Sequence, residues 1–367
     1  MCRTNAAHND VTKAYINRLA TAVPEHEVHG TFVNFAERLL RDRRMRQVFE
    51  RMVARSDIER RWSCLKPANS GSNESLDADG FYTLGQFPST AHRMSRYALE
   101  APALGAKAIA GLRLGADVER ISHLIVTSCT GFSAPGIDVD LVRRCGLDPC
   151  VERTVVGFMG CNAAINGLRL ADHIVRSTPS SKVLLVSVEL CTLHLQETDK
   201  LDRLLAFLLF GDGCSAALVS AEPTGLAVEG FHAELVHGGG GQITWNIGDC
   251  GFDMVLSGQV PTTIGEALRI RKGRILSGVS VDAIDLWAVH PGGRTVLDAV
   301  EGALDLNATA LAASRDVLRE HGNMSSATVL FVLEALMRRG APVGARGCAM
   351  AFGPGLSAET MMFSKGA

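Results

Sequence analysis

An α/β protein made of two related lobes is the fold class that this sequence predicts, and three observations predict it. Short apolar runs of strand length alternate with longer segments of helical periodicity. A polar break, Glu222–Gly225 (EPTG), interrupts that alternation. The same alternation then resumes on its far side, as expected when each lobe is a layered α/β unit. The 367 residues allow one large or two medium lobes, and lobes 1–222 and 223–367 are expected. A composition of 47% hydrophobic and 21% charged residues excludes a disordered or fibrous chain.

The elements follow in order. Residues 31–61 read as helices, with Phe35, Leu39 and Leu40 on one apolar face. From Arg41 to Arg61 eight arginines stand against four acids, a tract that elsewhere would be a solvated helix face. Residues 66–80, rich in Ser, Asn, Gly and Asp, read as a loop, and Arg93–Leu114 as a helix. His123–Ser128 (HLIVTS) has the continuous apolar character of a buried strand. Thr154–Gly160 is the next strand; it runs into Cys161 and a helix of small and apolar residues. Strands are expected at Lys182–Glu189, Cys214–Ser220 and Leu226–Leu235. Beyond the break come a helix around Ile264–Leu276, strand Asp285–His290, and helices Thr295–Leu304 and Ser325–Arg339. Strands Gly347–Phe352 and Glu359–Ser364 close the chain.

Several function classes are disfavoured at once. A formal net charge of −2 argues against bulk nucleic-acid binding and against a polybasic membrane anchor. The apolar stretches Val183–Val188 and Leu204–Phe210 fall far short of the ~20 residues of a membrane span. Residues 1–20 lack the apolar core of a secretory signal, so a cytoplasmic protein is expected. The ten cysteines are scattered and form no CxxC pair, which predicts reduced thiols and neither a disulfide framework nor a metal site.

Three residues stand at predicted strand–helix joints. Cys161 opens a helix, where unpaired N–H groups and the positive dipole end favour thiolate, so an ionised sulfur is expected; the alternative is a structural cysteine in a tight joint. His290 ends an apolar strand ahead of Pro-Gly-Gly, at the strand terminus where α/β proteins gather ligand-facing residues; the alternative is a turn histidine. Asn323 precedes a long apolar helix and, taken alone, is an ordinary N-cap. Taken together the three specify more. A thiol can accept an acyl group from a thioester, while an imidazole and an amide N–H can bind an enolate. No metal or carboxylate is needed if the carbanion arises by decarboxylation. The combination describes a decarboxylative Claisen condensation.

On these residues the chain resembles the type III polyketide synthases, the chalcone synthase-like branch of the thiolase superfamily. The motifs are Leu209–Gly213 (LFGDG), His290–Gly293 (HPGG), Gly322–Ala327 (GNMSSA) and Ala351–Gly355 (AFGPG, with Ala for the family's first Gly). The resemblance implies a five-layered αβαβα fold, a homodimer, and a catalytic triad of Cys161, His290 and Asn323. It implies that Phe210 helps seat malonyl-CoA and that Phe252 is a second family phenylalanine. It places coenzyme A phosphates on the arginine tract at Arg51 and Arg55. The first lysine of the family's pattern is replaced by Val48, and Arg46 is the alternative contact. Cys129, Thr130, Ala134, Cys191, His194 and Ser325 are carried over as pocket residues. Small, weakly polar Ala134 and Cys191 suggest a medium or long fatty acyl starter and alkylpyrone or alkylresorcinol products. CoA thioesters are the implied substrates, with no further cofactor.

Other readings are weaker. An initiating 3-oxoacyl-acyl-carrier-protein synthase shares fold and triad, but usually carries His-Gln-Ala-Asn where this chain has His290-Pro-Gly-Gly. A degradative thiolase needs a second catalytic cysteine, and the sequence around Cys348 does not match. A non-catalytic scaffold member has only the irregular CoA positions in its favour. The His237–Gly241 run (HGGGG) lacks the G-x-S-x-G partner of a hydrolase and the Gly-Lys-Ser/Thr of a P-loop, and reads as a flexible loop.

Overall fold

The computed structural model describes residues 12–68 and 74–366. Cys2 and residues 69–73 of the expected 66–80 loop lie outside the described residues. The first part of the chain runs β1 (Tyr15–Ala22), β2 (His26–Glu27), α1 (His29–Leu39), α2 (Arg43–Ala54), β3 (Trp62–Ser63) and α3 (Thr90–Gly111). It continues β4 (His123–Ser128), α4 (Ile137–Cys145), β5 (Glu152–Gly157), α5 (Ala163–Ser177), β6 (Val183–Leu190), α6 (Leu201–Leu209) and β7 (Asp212–Ser220). The second part runs β8 (Leu226–Leu235), β9 (Ile243–Gly248), β10 (Gly251–Leu256), α7 (Val260–Ile275) and β11 (Leu286–Val289). Then come α8 (Arg294–Leu304), α9 (Ala312–His321), α10 (Thr328–Arg338), β12 (Arg346–Gly353) and β13 (Ser357–Lys365).

Nine strands form one mixed sheet in the order β11-β12-β13-β8-β1-β7-β6-β4-β5. Its two halves meet where Tyr15 faces Ala227 and Ile16 faces Leu226. On one side β4 pairs parallel with β6, which pairs antiparallel with β7, and β7 antiparallel with β1. On the other side β11, β12, β13 and β8 repeat the same sequence of parallel, antiparallel and antiparallel pairings.

Strand alternation distributes the core into three layers, because successive side chains point to opposite faces. Leu184, Val186 and Val188 of β6 pack with α1, α3 and α6 on the outer face of the first half. Val183 and Leu185 turn inward, onto α5 and α10. In β12, Ala349 and Ala351 face that same central layer, while Cys348, Met350 and Phe352 pack outward with α7 and α8. Helices, sheet half, helices, sheet half and helices give the five layers. The sheet is buried on both faces, which is why β4, β6 and β7 read as continuous apolar runs.

Several expectations need correction. The helical tract 31–61 is two helices separated at Asp42, whose side chain caps α2 by accepting from the Arg44 N–H at 2.7 Å. Residues beyond Ala54 leave the helix. The strand expected at 154–160 ends at Gly157, because Phe158 and Gly160 turn into the left-handed region. Gly160 has φ +79° and a side chain there would meet Pro354 Cδ at 2.0 Å, so only glycine fits. The helix expected from Ser325 begins as a 3-10 turn at Ser325–Ala327 and becomes α-helical at Thr328.

Candidate active site

Cys161 lies in a 3-10 turn, Gly160–Asn162, directly ahead of α5. His290 follows β11, and its backbone N–H bonds the Met350 carbonyl on neighbouring β12 at 2.7 Å. Asn323 lies between α9 and the Ser325 turn, in extended pairing with Phe210. All three side chains line one cavity of about 670 Å³. Their joints, 129 and 33 residues apart in sequence, converge because α5 and α10 share the central layer.

The geometry at each is specific. The Asn323 amide is oriented: its Oδ1 accepts the Ser325 N–H at 2.8 Å, and its Nδ2 donates to Gly292 O at 3.3 Å. One Nδ2 hydrogen therefore remains for the cavity. Asn323 thus precedes the short turn at 325, accepting its Ser325 N–H, and is not the N-cap of α10, which is Ala327. His290 is 1% exposed, and neither ring nitrogen has a hydrogen-bond partner. Orphaned buried nitrogens are costly, and here both belong to a cavity-lining side chain. Burial alone pushes His290 down to about 3, so its imidazole is neutral.

The expectation that the helix terminus by itself ionises Cys161 is not met. Burial pushes the thiol up to about 12, outweighing the opposing influence of the Ser325 and Asn323 side chains. A charge on sulfur alone is unfavourable here, so the thiol needs an acceptor for its proton. His290, neutral and with both ring nitrogens unpartnered, lines the same cavity.

At the cavity's outer end α2 presents Val48, Arg51 and Met52, and Arg55 follows directly at its C-cap. Arg51 and Arg55 are exposed and, among the described residues, have no acidic partner. Arg46 lines no described cavity; its Nε donates to Leu40 O at 2.6 Å, so the alternative phosphate contact is withdrawn. Arg294, one residue beyond the HPGG motif, joins the mouth instead, paired to Asp57 and Asp298 at 3.3 and 3.4 Å. Between mouth and thiol the walls are apolar, with Leu208, Leu209, Leu256, Val260, Ile264 and Val296 prominent.

A second cavity, of about 30 Å³, lies on the other side of Cys161. It is lined by Cys129, Thr130, Cys191, Phe210, Trp245 and Ser325 among others. Ile243 and Met254 border both spaces. Cys129 Sγ accepts the Gly160 N–H at 3.0 Å and so braces the turn that carries Cys161. Behind Cys129 and Thr130 sits Glu189, fully buried, accepting from the Cys129 N–H at 3.0 Å, Thr130 Oγ1 at 2.8 Å and Ser326 Oγ at 2.5 Å.

Three expected pocket residues do not line either space. Ala134 is exposed on the turn after β4, because Gly131–Gly136 leads the chain to the surface. His194 is buried with both nitrogens engaged: Nε2 donates to Thr130 O at 2.7 Å and Nδ1 accepts the Phe252 N–H at 3.1 Å. Phe252 stacks on that imidazole, centroids 4.1 Å apart, and supports the wall from behind. Met254, two residues along β10 and therefore on the same face, is the residue that reaches the cavity. Sequence reasoning also missed Ile243 and Trp245, because the hairpin β9–β10 that carries them follows a glycine run and shows no clean alternation.

Family models described as chalcone and stilbene synthases match most of the chain, the N-terminal domain over residues 2–223 and the C-terminal domain over 229–365. The chain is 34% identical over 371 residues to the alpha-pyrone synthesis polyketide synthase-like protein Pks18 of Mycobacterium tuberculosis, covering 96% of this chain and 91% of that one. It is 32% identical over 343 residues to bisdemethoxycurcumin synthase of Oryza sativa subsp. japonica, covering 87% and 83%. The crystal structure of PKS-I from the brown alga Ectocarpus siliculosus matches 98% of this chain and 100% of its own, with TM-score 0.88 and 30% identity. CsyB complexed with CoA-SH has a TM-score of 0.82 at 22% identity, over 96% of this chain and 100% of its own, a likeness of fold alone.

Proposed function

The chain belongs to the chalcone and stilbene synthase family and is a type III polyketide synthase; on that premise we propose that Cys161, His290 and Asn323 carry the condensation. The observation that supports this most is their convergence on one cavity, with two unpartnered imidazole nitrogens and an Asn323 amide that hydrogen-bonds the Cys161 side chain. Arg51 and Arg55 hold the phosphates of coenzyme A, and the apolar walls take its arm. As Cys161 Sγ attacks the thioester carbonyl, its proton passes to His290 and then to the departing CoA sulfur. Malonyl-CoA enters next, with Phe210 helping to seat it. Its carboxylate C–C bond breaks, carbon dioxide leaves, and the electron pair forms an enolate. Its oxygen takes hydrogen bonds from His290 and Asn323. The enolate carbon attacks the Cys161 thioester. The sulfur leaves, and the extended chain is reloaded before cyclising.

The starter is a medium or long fatty acyl group, giving alkylpyrones or alkylresorcinols. The apolar lining of the space beyond Cys161 supports this, as does similarity to a protein named for alpha-pyrone synthesis. A space of about 30 Å³ beyond Cys161 has room for about one water, so Trp245, Met254 and Ile243 must yield to a growing chain. Mass spectrometry of products from a panel of acyl-CoA starters with malonyl-CoA tests this; acceptance of aromatic starters alone, such as coumaroyl-CoA, overturns it.

The homodimer, the two lobes and the compartment belong to the same proposal. Edge strand β5 leaves Val155 exposed, with Phe132 and Met159 exposed nearby, an apolar edge of the kind that partners cover. The repeated pairing pattern favours lobes 1–222 and 223–367. No helix among the described residues is long and apolar enough to cross a membrane. The nine described cysteines are all free, which favours a reducing cytoplasm. Light scattering of the purified protein tests the dimer, and a monomer mass contradicts it.

A further inference from the structure

Arg61 is wholly buried, yet no carboxylate forms an ion pair with its guanidinium among the described residues. Its Nη1 donates to the Phe210 carbonyl at 2.9 Å and its Nε to His29 Nδ1 at 3.0 Å. His29 is held neutral, pushed down to about 4 by burial and then by Arg61, so it can accept that bond. The stem of Arg61 lies against the glycines that flank the two paired residues, Phe210 and Asn323. A Cβ at Gly322 would meet Arg61 Cγ at 2.8 Å, and one at Gly211 would meet its Cβ at 3.4 Å. Those glycines adjoin Asn323 and Phe210. The strands themselves are joined by Asn323 N–H to Leu209 O at 2.8 Å and Gly211 N–H to Asn323 O at 3.1 Å.

The segment around Arg61 is pinned on the same side. The N–H groups of Glu59 and Arg60 donate to Arg319 O at 2.8 and 3.0 Å, and Trp62 Nε1 donates to Glu320 O at 3.0 Å. Residues 59–62 therefore clamp both the end of α9, which leads into Asn323, and the Leu209–Gly211 segment. Burial pushes Arg61 down to about 9 against the opposing pull of Glu27 and Asp212, so keeping this cation in the interior is expensive.

We propose that Arg61 is a positioning residue for decarboxylation, holding Phe210 and Asn323 in register from behind while touching no substrate. The inference rests on the synthase reading above. Lysine in its place keeps the charge but supplies one point donor in place of the planar fork that reaches Phe210 O and His29 together. Orientation of the malonyl carboxylate by Phe210 and enolate stabilisation then fail together in the transition state, while acyl transfer to Cys161, which needs neither Phe210 nor an enolate donor, continues.

The test compares Arg61→Lys, Asn323→Ala and the double variant with the wild-type protein. Carbon dioxide release from malonyl-CoA and the mass shift of Cys161 on loading with an acyl-CoA are both read, with melting temperature alongside. Arg61→Lys is expected to lower the decarboxylation kcat about tenfold, with KM within twofold and Cys161 loading unchanged. Combined with Asn323→Ala it is expected to add less than twofold, because both changes remove one arrangement. Should Arg61→Lys fail to fold, His29→Ala, which removes only the Nε acceptor, is expected to give the same split in milder form. A kcat unchanged in the folded variant, equal losses in loading and decarboxylation, or fully multiplicative losses in the double variant overturn the proposal. A wild-type protein that releases no carbon dioxide overturns the synthase reading itself, and the proposal with it.

Discussion

Replacing Asn323 by alanine isolates the enolate donor. The amide is fixed on one side by the Ser325 N–H at 2.8 Å, and Gly292 O at 3.3 Å takes one Nδ2 hydrogen in a long bond. One good donor is therefore removed. Loss of one oxyanion donor costs about 10²–10³ in kcat, or about 2.7–4 kcal/mol of transition-state stabilisation. The enolate charge exists only after the C–C bond has broken, so the loss is expected in kcat for carbon dioxide release, with KM for malonyl-CoA little changed. Asn323→Asp keeps the size and the Ser325 contact but sets an acceptor where the donor stood, and is expected to lose at least as much. Melting temperatures separate this from damage to the turn, since alanine also leaves the Ser325 N–H unpaired. Carbon dioxide release within a few-fold of wild type, or a loss confined to KM, refutes the reasoning.

The remaining expectations concern proton transfer, CoA capture and pH. Without His290 the thiol faces only its burial, which pushes it up to about 12; in His290→Ala, Cys161 alkylation by iodoacetamide is expected to climb about tenfold per pH unit through pH 10. The wild-type protein should react faster at neutral pH, and identical profiles for the two remove His290 as the proton acceptor. Arg51→Glu with Arg55→Glu is expected to raise KM for malonyl-CoA tenfold or more with kcat nearly kept, and to abolish the wild-type rise of KM with salt. An unchanged KM contradicts phosphate capture on α2. Burial raises the Glu189 carboxyl to about 7, above the ~4.3 of an unfolded glutamate. The folded state then binds the extra proton, so this contribution is complete below about pH 4 and lost as pH rises through 7, worth about 4 kcal/mol. Glu189→Gln should flatten the decline of the unfolding midpoint between pH 5 and 8; an unaltered slope shows that Glu189 does not titrate there.

What could be read in advance follows from which forces act locally. Strands β4, β6 and β8 were legible because burial on both faces, or clean alternation, leaves a pattern in the chain itself. Central strand β1 was not read, because Asn17 and Arg18 interrupt it where its register with β7 shifts. Helix α9 was missed for its mean polarity, and α4 for its charges. Cys161, His290 and Asn323 stand at joints whose glycines mark them, and the cavity gathers them. The walls were a different matter. Met254, Ile243 and Trp245 reach the thiol only through the folding of a hairpin from the second half of the chain. Phe252, two positions from Met254, is spent on stacking with His194. Ala134 is exposed at the surface of the chain, and nothing in its neighbours along the sequence announces that. The state of the thiol was misjudged for the same reason: a helix terminus is visible in sequence, whereas the desolvation that outweighs it is a property of the packed cavity.

Covalent loading of the nucleophile is the step on which all others depend. The purified chain is incubated with an acyl-CoA alone, digested under acid, and its cysteine peptides are weighed. One acyl group on the Cys161 peptide, absent from Cys161→Ala, is the expected result. No adduct, or one that persists on Cys129 or Cys191 after that substitution, contradicts the account.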